Sequence, residues 1–313
     1  MPARRVWRGP SGSEVSYQAV RSFGAVWVTA GGPTPSRLDA ARAFEDAARD
    51  AGARVLWFGL EAPDAVGLDR PRVVIGAEPL WATSRWPQIV ADKRSVRAQI
   101  YRARNKGVAV GRWDAGRVPR SDLEGVLEDW LGRRGLPPLG FMADPYVLED
   151  DARQIWVADL EGAAVGYLVL VPGDEALVEW IIQSRRAPNG TAALLLDTAV
   201  RSLPGESSFT LGLVPLSTFA PPSRTPPGLA VRALLAWVRA HATRFYNFQG
   251  LERFKAKFVP DEWRPLWLVT DGRPVSVLTF HAVAAAFAAP RGPTRFVGRA
   301  IVDAVLEEVR RLR

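Results

Sequence analysis

The chain has 313 residues, a hydrophobic fraction of 48% and a charged fraction of 24%, which predict a globular protein with one large domain or two smaller ones. The absence of cysteine excludes disulfides, thiol nucleophiles and cysteine metal sites. Two histidines, His241 and His281, are too few for a histidine-based metal cluster, so we expect no metal site.

The net charge of +8 is concentrated in one segment. Residues 85–120 hold ten of the 41 lysines and arginines but only two of the 33 acidic residues, so this segment alone accounts for the net charge. A localised basic surface predicts an anionic partner, such as phospholipid headgroups or an RNA backbone. The alternative is that arginine merely covers a solvated face.

The first third of the chain shows the pattern of alternating strands and helices. The predicted elements are a strand over 22–29, a helix with Ser36 as its N-cap, strands over 54–58 and 71–75, and a basic helix over 93–106 that ends at Gly107. Val96, Ile100 and Ala103 form the predicted inward face of the basic helix.

We predict a domain boundary near residues 116–121, which divides the chain into 1–117 and 118–313. The elements predicted after it are a helix with Ser121 as N-cap and Glu124 in a capping box, a hairpin over 154–159 and 164–171, a strand over 177–183, a helix that begins near Asn189, a strand over 209–213, a proline-rich loop over 220–228, and a helix through Val231, Leu234, Leu235 and Val238. Together they predict the α/β (α+β) class, with mixed sheets flanked by helices.

The segment 248–265 combines aromatic residues with cations. Leu251, Phe254 and Phe258 share one helical face, whereas Arg253 and Lys257 share another and Lys255 points elsewhere. A proline at 260 ends this helix, and Trp263, Arg264 and Pro265 lead into a strand over 266–269. Cations at a helix-to-strand junction are well placed to hold an anion, although a core helix with a solvated basic side gives the same pattern.

The letters GLERFKAKFVPDEWRP in this segment resemble the signature of the phosphatidylglycerol lysyltransferase catalytic-domain family, the aminoacyl-phosphatidylglycerol synthases. Further blocks follow the family order at 93–97, 102–107, 185–191 and 211–217, so the resemblance extends from about residue 90 to 270 and more loosely over the N-terminal part. It implies two GNAT-like acyltransferase halves in tandem, of which the first is degenerate. The order of the elements in 121–270 also matches a GNAT acyltransferase.

The resemblance implies transfer of an aminoacyl group from aminoacyl-tRNA to an anionic lipid or a related hydroxyl acceptor, without a cofactor. Lys255, Lys257 and Arg264 would hold a phosphate or the oxyanion, and Glu179 would act as a base or bind an amine. The predicted substrate-binding residues are Arg185, Arg186, Asn189, Gly190, Arg253 and Trp263. The predicted tRNA or lipid surface consists of Lys93, Arg94, Arg97, Arg102, Arg104 and Lys106.

Several of these residues have a structural alternative. Asn189 caps a helix in the simplest reading, and Glu179 pairs with Arg185 or Arg186. The family commonly has an acidic residue three positions after Gly190, where this chain has Ala193 and its nearest acid is Asp197.

Two other functions remain open at this stage. One is a GNAT-type N-acyltransferase that uses acyl-CoA, although the segment 185–191 has a single glycine where a pyrophosphate loop is rich in glycine. The other is a non-catalytic module that binds tRNA or an anionic membrane. No segment approaches the roughly 20 apolar residues of a membrane-spanning helix, and no signal-peptide core follows the N-terminus. We therefore expect a cytoplasmic protein with peripheral contact at the inner face of the membrane.

Overall fold

The computed structural model describes residues 5–9, 12–61, 67–68, 70–133, 141, 153–222, 227–241 and 247–288. The elements of the first part are β1 (Arg5–Arg8), β2 (Glu14–Arg21), β3 (Ala25–Thr29), α1 (Leu38–Asp50), β4 (Ala53–Leu60), β5 (Arg72–Ala82), α2 (Trp86–Asp92), α3 (Arg94–Asn105) and β6 (Ala109–Arg112). The predicted basic helix is α3, and its inward residues Val96, Ile100 and Ala103 are buried as expected.

The second part begins with a helix and a hairpin. Its elements are α4 (Arg120–Gly132), β7 (Gln154–Leu160), β8 (Ala163–Val171), β9 (Glu175–Gln183), α5 (Thr191–Val200), β10 (Ser208–Thr210), β11 (Val214–Pro215), α6 (Leu229–His241), α7 (Phe248–Ala256), β12 (Glu262–Val269) and α8 (Val277–Ala288). Among the described helices, none has the length and apolar character that crossing a bilayer requires.

One mixed sheet passes through both parts of the chain. Its strand order is β1-β2-β3-β4-β12-β5-β10-β9-β8-β7-β6, and β11 pairs with β5 beside this path. The late strand β12 lies antiparallel between β4 and β5, which are strands of the first part. The predicted division into 1–117 and 118–313 stays a prediction, and β12 links the two proposed domains.

Helices cover both faces of this sheet. In the first part, α1 packs its buried Phe44 against Tyr17 and Trp57 on one face, and α8 packs on the opposite face. At the other end of the sheet, α3 and α5 cover one face and α4 covers the other. Each large side chain buried in these layers contributes about 1.5–3 kcal/mol of transfer free energy, so the four apolar clusters hold the sheet and helices together.

The structure corrects the two predicted N-caps. Helix α1 begins at Leu38 with Arg37 at the N-cap position, and Arg37 forms an ion pair with Asp39, so the assignment of Ser36 was wrong. Helix α4 follows Pro119, and its first turn includes Ser121, so the predicted capping box does not form. The observed N-cap residue lies one position after the predicted serine in α1 and two positions before it in α4, and neither helix has a side-chain cap.

Candidate functional site

Strands β9 and β10 separate in the middle of the sheet. They pair in parallel through Glu175–Leu177 and Ser208–Thr210 only. Beyond this point the rest of β9 is paired with β8, while the chain after β10 turns towards β5 and pairs with it through β11. The end of β9 and residues 211–213 are therefore not paired with each other, and we call this place in the sheet the strand opening.

Lys255 is the buried residue of α7 and reaches the wall of the strand opening. Its Nζ atom donates hydrogen bonds to three successive carbonyl oxygens, at 2.5 Å from Leu211, 2.8 Å from Gly212 and 3.2 Å from Leu213. The side chain is 5% exposed, and this burial lowers the pKa of Lys255 to about 7, although the nearby carboxylate of Glu78 acts in the opposite direction. The three bonds fix the conformation of residues 211–213.

The use of lysine at this position is informative because the chain strongly favours arginine. Only four of the 41 basic residues are lysines, and two of the four are Lys255 and Lys257. A compact ammonium can direct three donors at three converging carbonyls, whereas a planar guanidinium cannot. The geometry therefore suits lysine at 255.

Lys257 is the residue directly after α7, at the C-cap position, and is half-buried. Its Nζ atom donates to Oε1 of Gln99 at 3.0 Å and lies over the rings of Phe254 and Phe258, at 4.3 Å and 4.6 Å from their centroids. Desolvation lowers its pKa to about 8, so the ammonium form predominates at neutral pH. Within the described part of the chain Gln99 is its one hydrogen-bond acceptor, which leaves two donors for another group.

Helix α5 begins where it touches α3. Gly190 precedes this helix with a φ of 104°, and a Cβ atom placed on it would lie 2.0 Å from the carbonyl oxygen of Gln99. Gln99 therefore contacts both Lys257 and the start of α5. The glycine is needed for this close approach and for its left-handed backbone.

We expect Gly190→Ala to lower the free energy of unfolding by about 2–3 kcal/mol, because the methyl group forces α3 and α5 apart and strains the backbone. Chemical denaturation of both proteins measures this change. Gly205→Ala is the matched control, since nothing lies within 4 Å of the Cβ position there. Equal losses in the two variants would show that the helix contact is not responsible.

Arg264 connects three carboxylates. Its guanidinium lies 2.5 Å from Glu78, 2.5 Å from Glu175 and 3.2 Å from Glu61, which belong to β5, β9 and the end of β4. Burial raises the pKa of Glu78 and of Glu61, whereas the cation opposes this shift. The carboxylate oxygens lie within 4.8 Å of one another, a spacing that metal ligands also show, but Arg264 already supplies the positive charge that they need.

We call Arg264 and its three carboxylates, Glu61, Glu78 and Glu175, the arginine cluster. The arginine cluster and Lys255 belong to one electrostatic unit. Thr210 donates to Glu78 at 3.4 Å and accepts from the backbone N–H of Gly212 at 3.0 Å, so it links the cluster to the carbonyl segment that Lys255 holds. Sequence reasoning identified Lys255 and Arg264 but missed Glu61, Glu78 and Glu175. Glu78 was detectable only as a charged residue within an apolar strand.

The other predicted site residues lie around this unit rather than in it. Glu179 forms an ion pair with Arg153 at 2.8 Å, with both side chains largely buried. Arg185 is bound to Asp129 through its backbone N–H and its guanidinium. Trp263 stacks on Phe219 with ring centroids 4.6 Å apart.

Three further predicted residues are exposed. Arg186 and Asn189 make no polar contact among the described residues, and Asn189 does not cap α5, because the N-cap position belongs to Gly190. Arg253 donates to Gln249 at 3.2 Å along the outer face of α7. Their substrate-binding roles stay predictions.

Helix α3 carries the predicted basic surface. Lys93, Arg94, Arg102 and Lys106 are exposed, while Arg97 is half-buried and bonded to the carbonyl of Ala91. Arg104 is half-exposed and lies 3.5 Å from Asp197. Four exposed cations therefore lie on or next to α3, whose Gln99 contacts Lys257.

The position of the missing family carboxylate is filled by core packing. Ala193 is 1% exposed and lies in the apolar cluster between α3, α5 and the sheet. Asp197, one turn later, accepts from Trp86 at 3.0 Å and from Arg201 at 2.7 Å. Asp197, the nearest acid, therefore has a structural role and does not replace the acidic residue that the family commonly has at the position of Ala193.

Comparison with known proteins identifies several relatives. The family model for the phosphatidylglycerol lysyltransferase C-terminal region matches residues 4–270. The C-terminal domain of a putative lysylphosphatidylglycerol synthetase from Agrobacterium fabrum has a similar structure, with a TM-score of 0.69 at 21% identity over 92% of this chain and 91% of that one. L-PGS from Bacillus licheniformis gives a TM-score of 0.69 at 22% identity over 93% and 90%. No curated protein sequence matches this chain. These likenesses confirm the predicted α/β fold with a mixed sheet flanked by helices.

Proposed function

The chain belongs to the phosphatidylglycerol lysyltransferase C-terminal family, and we propose that this GNAT-like acyltransferase domain moves an aminoacyl group from aminoacyl-tRNA to a hydroxyl of an anionic lipid. The observation that carries the proposal is Lys257, a half-buried ammonium that lies at the end of α7, two residues after Lys255, and has two donors beyond its bond to Gln99. Such a group can stabilise an oxyanion in a site of low polarity.

The proposed reaction needs little covalent help from the protein, since the ester of aminoacyl-tRNA is already activated. The acceptor hydroxyl attacks the ester carbonyl carbon, a new C–O bond forms, and the bond to the terminal ribose oxygen of the tRNA breaks. The proton of the acceptor hydroxyl passes to that leaving oxygen. Lys257 would donate to the carbonyl oxygen as its negative charge develops, while Lys255 and Arg264 would hold the walls of the strand opening in place.

The donor would approach along α3. Its exposed cations Lys93, Arg94, Arg102 and Lys106 suit contacts with a phosphate backbone, and Gln99 on the same helix contacts Lys257. An RNA strand bound there would have its acceptor end close to the strand opening. Because aminoacyl-tRNA is found in the cytoplasm, the proposal places the domain there, in peripheral contact with the inner face of the membrane.

Use of acyl-CoA is less compatible with the start of α5. A GNAT enzyme binds pyrophosphate at this helix start. Here the backbone of Gly190 is packed against the carbonyl oxygen of Gln99, which would repel a phosphate approaching along that side. Calorimetry with coenzyme A is the direct check on this alternative.

The transfer assay combines anionic liposomes with a pool of aminoacyl-tRNA that carries radiolabelled amino acids. We expect label in the lipid extract, and we expect Lys257→Met to lower the initial rate by about 100-fold, the effect of losing one oxyanion donor. Arg49→Met, which removes an exposed cation on α1, is the control and should leave the rate unchanged. Absence of label with tRNA binding intact would reject the lipid as acceptor, and an unchanged rate in Lys257→Met would reject the role of Lys257.

A further inference from the structure

Helix α6 has an apolar face on the outside as well as on the inside. Val231 is buried and Leu235 packs against the cluster beneath the helix. Leu229 is 80% exposed and Trp237 is 38% exposed. The remaining exposed positions of the helix are Ala230, Arg232, Ala233, Ala236 and Ala240. Six of the seven exposed residues described within 229–240 are therefore apolar.

The outward residues form a stripe rather than scattered contacts with water. At 100° per residue, Leu229, Ala233, Ala236 and Ala240 fall on one side of the helix, and Trp237 lies beside them. Arg232 lies on the border of the stripe, and the helix contains no acidic residue. By contrast, the exposed face of α1 carries Asp39, Arg42, Asp46 and Arg49, as an ordinary solvated helix does.

A helix with a tryptophan and a leucine on its outer face, arginine at the border and no acid has the composition of an interfacial helix. We propose that the outer face of α6 lies on the surface of an anionic phospholipid bilayer, with Leu229 and Trp237 among the acyl chains and Arg232 at the headgroups. This inference deepens the proposed function, since a lipid acceptor resides in such a bilayer. The membrane and the aminoacyl-tRNA donor would then bind different surfaces, the membrane at α6 and the donor at α3.

The contacts of α6 connect this surface to the strand opening. Arg239 donates to the carbonyl of Leu216 and forms an ion pair with Glu252 of α7 at 3.8 Å. Glu252 also accepts from the backbone N–H of Thr218 at 2.7 Å. Phe219, the next residue, is 48% exposed and adds a further apolar side chain on this side. A bilayer against α6 would thus meet the protein next to the helix that carries Lys255 and Lys257.

Flotation of the purified chain with vesicles tests the membrane-binding inference without any donor or transfer step. A negative flotation result is therefore distinct from a negative result in the transfer assay. Vesicles of phosphatidylcholine with one quarter phosphatidylglycerol are compared with pure phosphatidylcholine. We expect binding to the anionic vesicles, and a decrease of about tenfold or more in the partition coefficient of Leu229→Gln combined with Ala233→Gln. Both residues are exposed, so the folded state should tolerate the changes.

The control variant is Leu38→Gln, which alters an exposed leucine on α1, on the opposite face of the sheet. It should bind vesicles as the unchanged chain does. Arg232→Gln should weaken binding to anionic vesicles and leave the weak binding to neutral vesicles unaltered. The proposal is overturned if the chain does not float with anionic vesicles, if the α6 variant binds equally well, or if light scattering shows a dimer that the α6 variant abolishes, because a second copy would then cover this face.

Discussion

Replacement of Arg264 by methionine is expected to lower the free energy of unfolding by about 3–5 kcal/mol, because it leaves the buried carboxylate of Glu78 without its cation. Glu78 is 5% exposed, and Glu175 and Glu61 share the same guanidinium. The arginine also links β12 to β5 and β9, so its loss weakens the junction between early and late strands. Urea denaturation of both proteins at pH 7 measures the difference.

Two comparisons separate this effect from the loss of any arginine. Arg8→Met breaks an ion pair whose side chains are 75% and 48% exposed, and it should cost less than about 1 kcal/mol. Adding Glu78→Gln to Arg264→Met should recover part of the loss, because it removes the stranded charge. A variant with Arg264→Met that is as stable as Arg8→Met would contradict the structural role of the arginine cluster.

The pH dependence of Arg264→Met has a definite sign. Burial raises the pKa of Glu78 above its ordinary value even in the presence of Arg264, and without the cation the shift should be larger. A carboxyl group whose folded pKa is raised stabilises the folded state when it is protonated, and this stabilisation is lost as the pH rises through the folded pKa. The variant should therefore regain stability as the pH falls from 7 towards 5.

Local patterns were sufficient to predict most of the helices and the central strands. The apolar spacing of Val96, Ile100 and Ala103 gave α3 because all three residues lie within eight positions and face one core. The hairpin of β7 and β8 followed from alternating apolar residues around a glycine turn. The predicted strand over 71–75 was too short, since β5 continues to Ala82 through the charged residue Glu78. An apolar pattern cannot predict a buried charge whose partner lies elsewhere.

Two of the missed strands differ in their local signals. Strand β2 places Val15 and Tyr17 in the core, and its alternating apolar and polar residues are a strand pattern that the prediction overlooked. Strand β6 has four residues and lies at the edge of the sheet, with most of its side chains exposed. Its identity depends on pairing with β7, a contact between distant parts of the chain.

The candidate site also depends on contacts between residues that are distant in the sequence. The sequence singled out Lys255, Lys257 and Arg264, and it predicted that all three would meet an anion from the substrate. The structure instead gives Lys255 three carbonyl partners and gives Arg264 three carboxylates, and only Lys257 retains donors for a ligand. These partners lie 42 to 203 residues away along the chain, so no local pattern could reveal them.

Replacement of Lys255 by methionine is expected to reduce aminoacyl transfer by about 100-fold or more. The methionine cannot bind the carbonyls of residues 211–213, so this wall of the strand opening loses its fixed conformation and the substrate loses its alignment with Lys257. Lys255→Arg keeps the charge but cannot direct three donors at these carbonyls, and it should be impaired as well. Full activity in Lys255→Arg would show that charge alone suffices.

The protonation state of Lys255 can be measured by comparing the stability of the unchanged chain with that of Lys255→Met. Burial depresses the folded pKa of this lysine to about 7, below its ordinary value of 10.5, so the unfolded chain binds more protons between these two values. Stability contributed through Lys255 must then rise with pH across that window, in contrast to a lysine that gains an acidic partner. Between pH 7 and pH 9.5 the unchanged chain should gain on the order of 2–3 kcal/mol relative to Lys255→Met. Parallel stability curves for the two proteins would mean that the folded state keeps Lys255 at its ordinary pKa, and the three carbonyl bonds would then fully offset its burial.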